Sequence, residues 1–270
     1  MKIYNQLSDE YNELYFQNVS KFIDSIRENN PEPNYFVNFY PSFGIKKNEP
    51  CEFLIVGQAV NGWRSGCSTE EKLEAKSIVE NAISASNSFF ERDNHSPLDW
   101  VNIHWTKSLL ASHREDDEKA NFYNTGDYVA YRSFFWKVTY KLINDYYKRD
   151  RESWDWSKKI VWSNLYKIAP EDSNPDEFQK NIQIDLSIKL LQKEIQELNP
   201  KYCIVITNKS WWEPFKKSIC DVEFEIDETL NEIEFHSKFM NTHIIVTTRP
   251  FLGNGDLHVQ QLLELINKNV

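Results

Sequence analysis

Apolar positions along the 270-residue chain follow two patterns, one of period three to four and one of short unbroken runs. Between 9 and 29, Tyr11, Tyr15, Val19, Phe22 and Ile26 recur at steps of three and four, the spacing of one helix face. Asn29-Asn30-Pro31 ends that helix, and Pro31, Pro33, Pro41 and Pro50 among aromatics predict an irregular segment packed on the body. Helical spacing returns over 70–90 (Leu73, Val79, Ala82, Ile83) and 131–146 (Tyr131, Phe135, Val138, Leu142, Tyr146), with a polar, mixed-charge excursion at 91–127. Ile184, Ile188, Leu191, Ile195 and Leu198 form a stripe that Asn199-Pro200 terminates, since a residue before proline avoids the helical region. A last helix presents Val259, Leu262, Leu263 and Ile266, with Asp256 as its expected cap.

The unbroken runs read as strands. Residues 52–56 lie between Pro50 and Gly57, and 159–170 carry Ile160, Val161 and Trp162 up to Asn164 before Pro170 closes the run. "KYCIVIT" (201–207) is a third, and 232–239 and 242–250 form two more around Met240-Asn241, the second more apolar and so more central. Short apolar strands separated by helices predict an α/β fold: a three-layer α/β/α sandwich with a central, mainly parallel four-stranded sheet. We expect a single domain over 1–270, with an N-terminal helical extension (1–50) and an inserted helical excursion (64–150). Ligands of such sheets sit beyond the carboxyl ends of the strands, so the exits are where chemistry is sought.

Composition narrows the classes. With 31 Lys and Arg against 41 Asp and Glu the formal charge is -10, which disfavours a nonspecific nucleic-acid coat and leaves a local basic cleft open. No apolar run approaches a membrane span and no leader pattern follows Met1, so a cytoplasmic monomer is expected. Cys51, Cys67, Cys203 and Cys220 contain no C-x-x-C pair, and read as thiols rather than as staples or metal ligands. No phosphate loop of the Walker type or zinc pair is present, and no cofactor is called for.

The four exits read Gly57-Gln58-Ala59-Val60-Asn61-Gly62, Asn164-Leu165-Tyr166-Lys167, Thr207-Asn208-Lys209-Ser210 and Arg249-Pro250-Phe251. In this order they resemble the uracil-DNA glycosylase superfamily. Gly57-Gln58-Ala59 after an apolar strand is similar to the family's water-activating loop, and Asn164 in "VWSNLYK" to its base-reading asparagine. "LNPKYCIVIT" resembles the helix, proline and strand that precede a loop near the DNA backbone. "VTTRPF" stands where the family has His-Pro. The resemblance spans residues 50–66 and 158–268, and the excursion between them has no counterpart.

The resemblance implies roles. Gly57 and Ala59 would let backbone amides approach a base, or simply make a tight turn. Gln58 can orient water but cannot take up a proton near neutral pH, and Asn61 is the nearest other amide, a turn residue in its plainer reading. Asn164 offers a donor and an acceptor to a uracil-like edge. Arg249 can stabilise a departing base or grip phosphate, yet cannot shuttle a proton as the family's histidine would; His258 is a compensating group or a structural one. Lys167, Asn208, Lys209 and Ser210 would follow a nucleic-acid backbone, and Phe251 an unstacked base step, with core packing as its alternative. The implied partner is DNA or another nucleobase-containing ligand, and the implied reaction is hydrolysis of an N-glycosidic bond. A noncatalytic binder on the same fold and a hydrolase of free nucleosides or nucleotides stay open beside it.

Overall fold

A computed structural model describes residues 7–29, 34–46, 48–59, 65–69, 74–87, 96–102, 130–149, 155–251 and 255–268. It is a mixed α/β fold. Helix α1 (Asp9–Asn29) leads into β1 (Tyr35–Asn38), β2 (Ser42–Phe43), β3 (Phe53–Gly57), β4 (Gly66–Ser68) and α2 (Ala75–Asn87). After α3 (Phe134–Tyr146) come β5 (Ile160–Asn164), β6 (Ile168–Pro170), α4 (Glu177–Leu198), β7 (Tyr202–Ile206) and α5 (Lys209–Lys216). The chain continues through β8 (Val222–Glu223), β9 (Ile233–Phe239), β10 (Thr242–Thr247) and α6 (Gly255–Lys268).

The main sheet is wider than the four strands expected: seven strands in the order β2-β5-β3-β7-β10-β9-β8. The pairs β5/β3, β3/β7 and β7/β10 are parallel, while β2, β9 and β8 add antiparallel edges. A second, three-stranded antiparallel sheet has the order β4-β1-β6. The segment read as irregular, 31–50, therefore supplies strands to both sheets. The run 159–170 divides: its first half is β5, and after Lys167 its second half, β6, pairs with β1. Backbone amides of a buried segment need partners, and β1 and β2 find theirs on strands distant in sequence.

Alternation along the buried strands sends side chains to both faces. Leu54, Val56, Val161, Cys203 and Val205 pack with residues of α1, α2 and α4, whereas Phe53, Ile55, Trp162, Ile204 and Ile245 pack with α3 and α6. Helix ends follow local chemistry. Asp176 and Gln179 form a reciprocal capping box at the start of α4, and Asn199 ends that helix in the left-handed region at φ 42 just before Pro200. The stripe on α4 is rotated from the one its aliphatic residues suggest: Ile184 and Ile188 are half-buried, while Gln183, Ser187 and Glu194 are buried. On α6, His258, Gln261 and Leu265 are buried and Leu263 only half-buried. Asp256 lies in the first turn of α6 and pairs with Lys141 of α3 at 2.5 Å. Cys51, Cys67 and Cys203 are buried and the four cysteines form no disulfide. No helix among the described residues is long and apolar enough to cross a membrane.

Candidate functional site at the strand exits

Parallel pairing of β3 with β5 places Gly57 opposite Asn164. The ladder continues past both strands, since Leu165 N donates to the Gly57 carbonyl at 2.9 Å and Tyr166 N to the Gln58 carbonyl at 3.0 Å. Gly57 is required here for a steric reason rather than a torsional one. A Cβ at that position would stand 2.5 Å from Asn164 Oδ1 and 3.5 Å from Cε2 of Phe135. The asparagine side chain therefore lies across the glycine, and the half-buried Phe135 ring borders the same spot.

Two amide donors at this seam lack acceptors. Asn164 is 2% exposed, and its Nδ2 has no hydrogen-bond partner among the described residues; Gln58 Nε2 is likewise buried and unpartnered. A buried donor left unmatched costs about 1 to 3 kcal/mol. Two of them at adjacent strand ends make a place where a ligand with acceptor oxygens gains what the apo protein lacks. Ala59 is half-buried and packs against the residues of both faces, as a turn residue does. Asn61, the other expected water-side amide, lies outside the described residues, as do Trp63, Arg64 and Leu252.

Lys167 is corrected. It is fully buried, with Nζ 2.7 Å from Glu194 Oε1, 2.6 Å from Ser163 Oγ and 2.7 Å from the Asn164 carbonyl. Glu194 also accepts from Tyr11 at 2.7 Å and from Ser163 at 2.7 Å, so the lysine is locked into a network joining α1, β5 and α4. Burial pulls the Lys167 ammonium below its ordinary pKa while Glu194 opposes the shift, and burial with Glu194 nearby holds the Tyr11 phenol well above its own. No phosphate reaches this ammonium; it braces the backbone carbonyl of Asn164 instead.

The third exit is also committed to structure. Asn208 caps α5, accepting from Trp211 N at 3.2 Å and from Ser210 Oγ at 2.6 Å. Lys209 and Ser210 are exposed, but the Lys209 amide already donates to the Glu234 carboxylate. The expected backbone-tracking loop thus holds an anion of the protein's own. At the fourth exit Arg249 is exposed, Pro250 is buried and Phe251 is 62% exposed. His258 is fully buried behind Thr248 and Glu232.

The approach from α4 is acidic. Glu171, Asp172, Asp176 and Glu177 are exposed between β6 and the first turn of that helix, and burial followed by Glu177 pushes the Tyr166 phenol up to about 12. Tyr166 packs edge-on to Trp211 at 5.8 Å, and Lys180 Nζ lies 4.7 Å from the Trp211 ring centre. The other tryptophans among the described residues, Trp100, Trp136, Trp156, Trp162 and Trp212, are buried in the core.

The residues that sequence reasoning overlooked are Phe135 as a wall of the site, and Glu194 and Glu232 as buried acids. Glu194 carried a signal: it sits three residues after Leu191 and four before Leu198, on a helix face that is otherwise buried, and an acid there needs a partner. Phe135 carried none, because helix periodicity does not say which strand end a helix crosses. No protein-family model and no characterised protein matches this chain.

Proposed function

We propose that the exits of β3 and β5 recognise a keto-bearing nucleobase, and that the protein is a divergent uracil-DNA glycosylase-like enzyme that hydrolyses an N-glycosidic bond. The unpartnered, buried Nδ2 of Asn164 over Gly57 carries this reading, with Gln58 Nε2 as a second donor and Phe135 as an aromatic wall. Helical packing on both faces of the main sheet supports the three-layer α/β/α arrangement that the resemblance implies.

Donors aimed at carbonyl oxygens are worth most when those oxygens gain charge. As the C1′–N bond breaks, its electron pair stays with the base, and the two amides together with the exposed Arg249 stabilise the anion. Water then bonds to C1′ and gives its proton to solvent, and the base takes up a proton from solvent. No step requires Gln58 to act as a base. Among residues 57–59, 164–167, 207–210 and 248–251 there is no Asp, Glu or His, so the chemistry falls to leaving-group stabilisation.

A second reading, a hydrolase of free nucleosides or nucleotides, is favoured by one observation: Lys167 is buried, and the exposed segment from β6 into α4 carries Glu171, Asp172, Asp176 and Glu177, the last of them close enough to act on Tyr166. A polyanionic strand meets repulsion there, and a small substrate meets much less. The test incubates the protein with end-labelled single- and double-stranded oligonucleotides containing uracil, hypoxanthine or xanthine, and in parallel with the free nucleosides. Abasic product that disappears in Asn164→Ala supports the first reading, and free base released from nucleosides with little salt dependence supports the second. Base binding without product at stoichiometric enzyme would overturn both and leave a binder.

A further inference from the structure

One edge of the second sheet is closed by a helix side chain. Phe39 N donates to the Lys167 carbonyl at 2.8 Å and Glu171 N donates to the Tyr35 carbonyl at 3.4 Å, with Val37 facing Ala169 between them. By the alternation of an antiparallel pair, Lys167, Ala169 and Glu171 turn their backbone polar groups toward β1, and Ile168 and Pro170 turn theirs away. Pro170 has no N–H to leave open. At Ile168 the carboxamide of Gln183, in the second turn of α4, takes both groups: Ile168 N donates to Oε1 at 3.3 Å, and Nε2 donates to the Ile168 carbonyl at 2.9 Å. A facing residue on a neighbouring strand would supply the same two bonds. Nε2 also reaches the Gln179 carbonyl at 3.3 Å, one turn back on the helix. Gln183 and Ile168 are both fully buried.

These bonds secure the junction between β5 and β6 from its far side. Leu165 N and Tyr166 N reach the carbonyls of Gly57 and Gln58, Lys167 Nζ reaches the carbonyl of Asn164, and Ile168 is held by Gln183. Helix α4 therefore grips the junction twice, through Glu194 on the Lys167 ammonium and through Gln183 on the backbone of the next residue. Gln183 and Glu194 are about three turns apart and so share the buried face of α4. Without the carboxamide, an amide and a carbonyl of Ile168 would be buried unmatched, and the junction would move to find other partners. Asn164 moves with it. Its carbonyl is braced by the residue just before Ile168, and its side chain has no slack over Gly57, where even a Cβ would stand 2.5 Å from Oδ1.

We propose that Gln183 is a positioning residue for the exit of β5: its carboxamide acts as a one-residue strand on the edge of β6, holds the junction 164–168 and so sets where Asn164 presents Nδ2. The effect on ligand binding rests on the proposed nucleobase site, whereas the hold on the junction does not.

The test compares two variants of the whole protein by native-state amide exchange. Gln183→Met keeps the reach of the side chain and removes its bonds to Ile168. Ile195→Ala truncates a buried residue about three turns further along α4, lowers stability and leaves those bonds in place. Relative to Val161 within β5, and corrected for intrinsic rates, exchange at Leu165 and Tyr166 is expected to accelerate by roughly tenfold or more in Gln183→Met and to keep its wild-type ratio in Ile195→Ala. Acceleration confined to Ile168 itself, or shared equally by the two variants, would overturn the proposal. In the second arm, free uracil is the probe. Gln183→Met should weaken its binding by roughly tenfold, and Ile195→Ala should leave it unchanged. Gln183→Met/Asn164→Ala should bind no more weakly than Asn164→Ala alone, because both changes act on one donor. Effects that multiply, or wild-type affinity in Gln183→Met, would count against the inference. Failure of uracil to bind the wild type counts against the nucleobase reading alone, and the exchange arm still decides whether Gln183 holds the junction.

Discussion

Asn164 ends β5 and Asn208 follows two residues after β7, on the same side of the sheet, yet they are used in opposite ways. Asn208 spends its oxygen on Trp211 N and Ser210 Oγ and starts a helix. Asn164 starts no helix; it lies across Gly57 with a donor that nothing matches. Beside each stands a lysine, and these differ too, Lys167 buried on Glu194 and Lys209 exposed. The contrast shows that a residue type at a strand exit does not fix its role. The groups left over after local capping decide which exit is available to a ligand.

The largest effect should come from the brace beneath Asn164. Lys167→Met strands the Glu194 carboxylate in the core and is expected to cost about 3 to 5 kcal/mol in urea denaturation, most of it recovered in Lys167→Met/Glu194→Leu. Full stability in the single variant would mean the ammonium is not buried as described. Next, Gly57→Ala forces a Cβ toward Asn164 Oδ1, and we expect about 1 to 3 kcal/mol of destabilisation together with loss of base binding. Retained binding would separate Gly57 from the site.

The two asparagines themselves should then give crossed results. Asn164→Ala is expected to weaken base binding by roughly tenfold or more while the thermal midpoint barely moves, because it removes an unmatched donor rather than a made bond. Asn208→Ala should cost about 1 kcal/mol as a lost helix cap and leave binding alone. If both variants behave alike, the comparison fails.

The smallest effect lies away from the exits and serves as a control. His236 Nε2 and His243 Nδ1 are 3.1 Å apart on the β9/β10 hairpin, and burial, then His243, lowers the His236 pKa from 6.5 to about 4. The unfolded chain binds the extra proton first, so stability falls as pH drops from about 6.5 toward 4 and levels off below. His236→Gln should flatten that slope in denaturant midpoints measured across the window without altering base binding.

Much of the molecule was legible in the chain. The span of α1, the position of β3, the Asn199-Pro200 stop of α4 and the end of β7 all follow from periodicity and from local chemistry that neighbouring residues carry. Other features were not legible. Segment 159–170 reads as one strand because apolar residues resume at Leu165 directly after Ser163 and Asn164, and only long-range pairing with β1 splits it. Segment 31–50 looked irregular because proline spacing reports backbone breaks and not partners. At the site, the sequence places Gly57, Gln58 and Asn164 at strand exits and only the pairing of β3 with β5 brings them together, while Lys167 misleads because a lysine after a strand gives no sign of a glutamate on a helix some distance along the chain.

The sequence by itself determined the alternation of buried strands and amphipathic helices, the acidic balance and the amide-rich exits, since these depend on residue type and on spacing of a few positions. Only the tertiary structure decided which polar groups find partners: Lys167 meets Glu194 and Tyr11, Asn208 meets its own helix, His258 meets Thr248 and Glu232, and Asn164 Nδ2 meets none among the described residues. Burial and pairing depend on atoms brought together from distant parts of the chain, and in a medium of low polarity that pairing sets whether a charge or an amide is spent on stability or kept for a ligand.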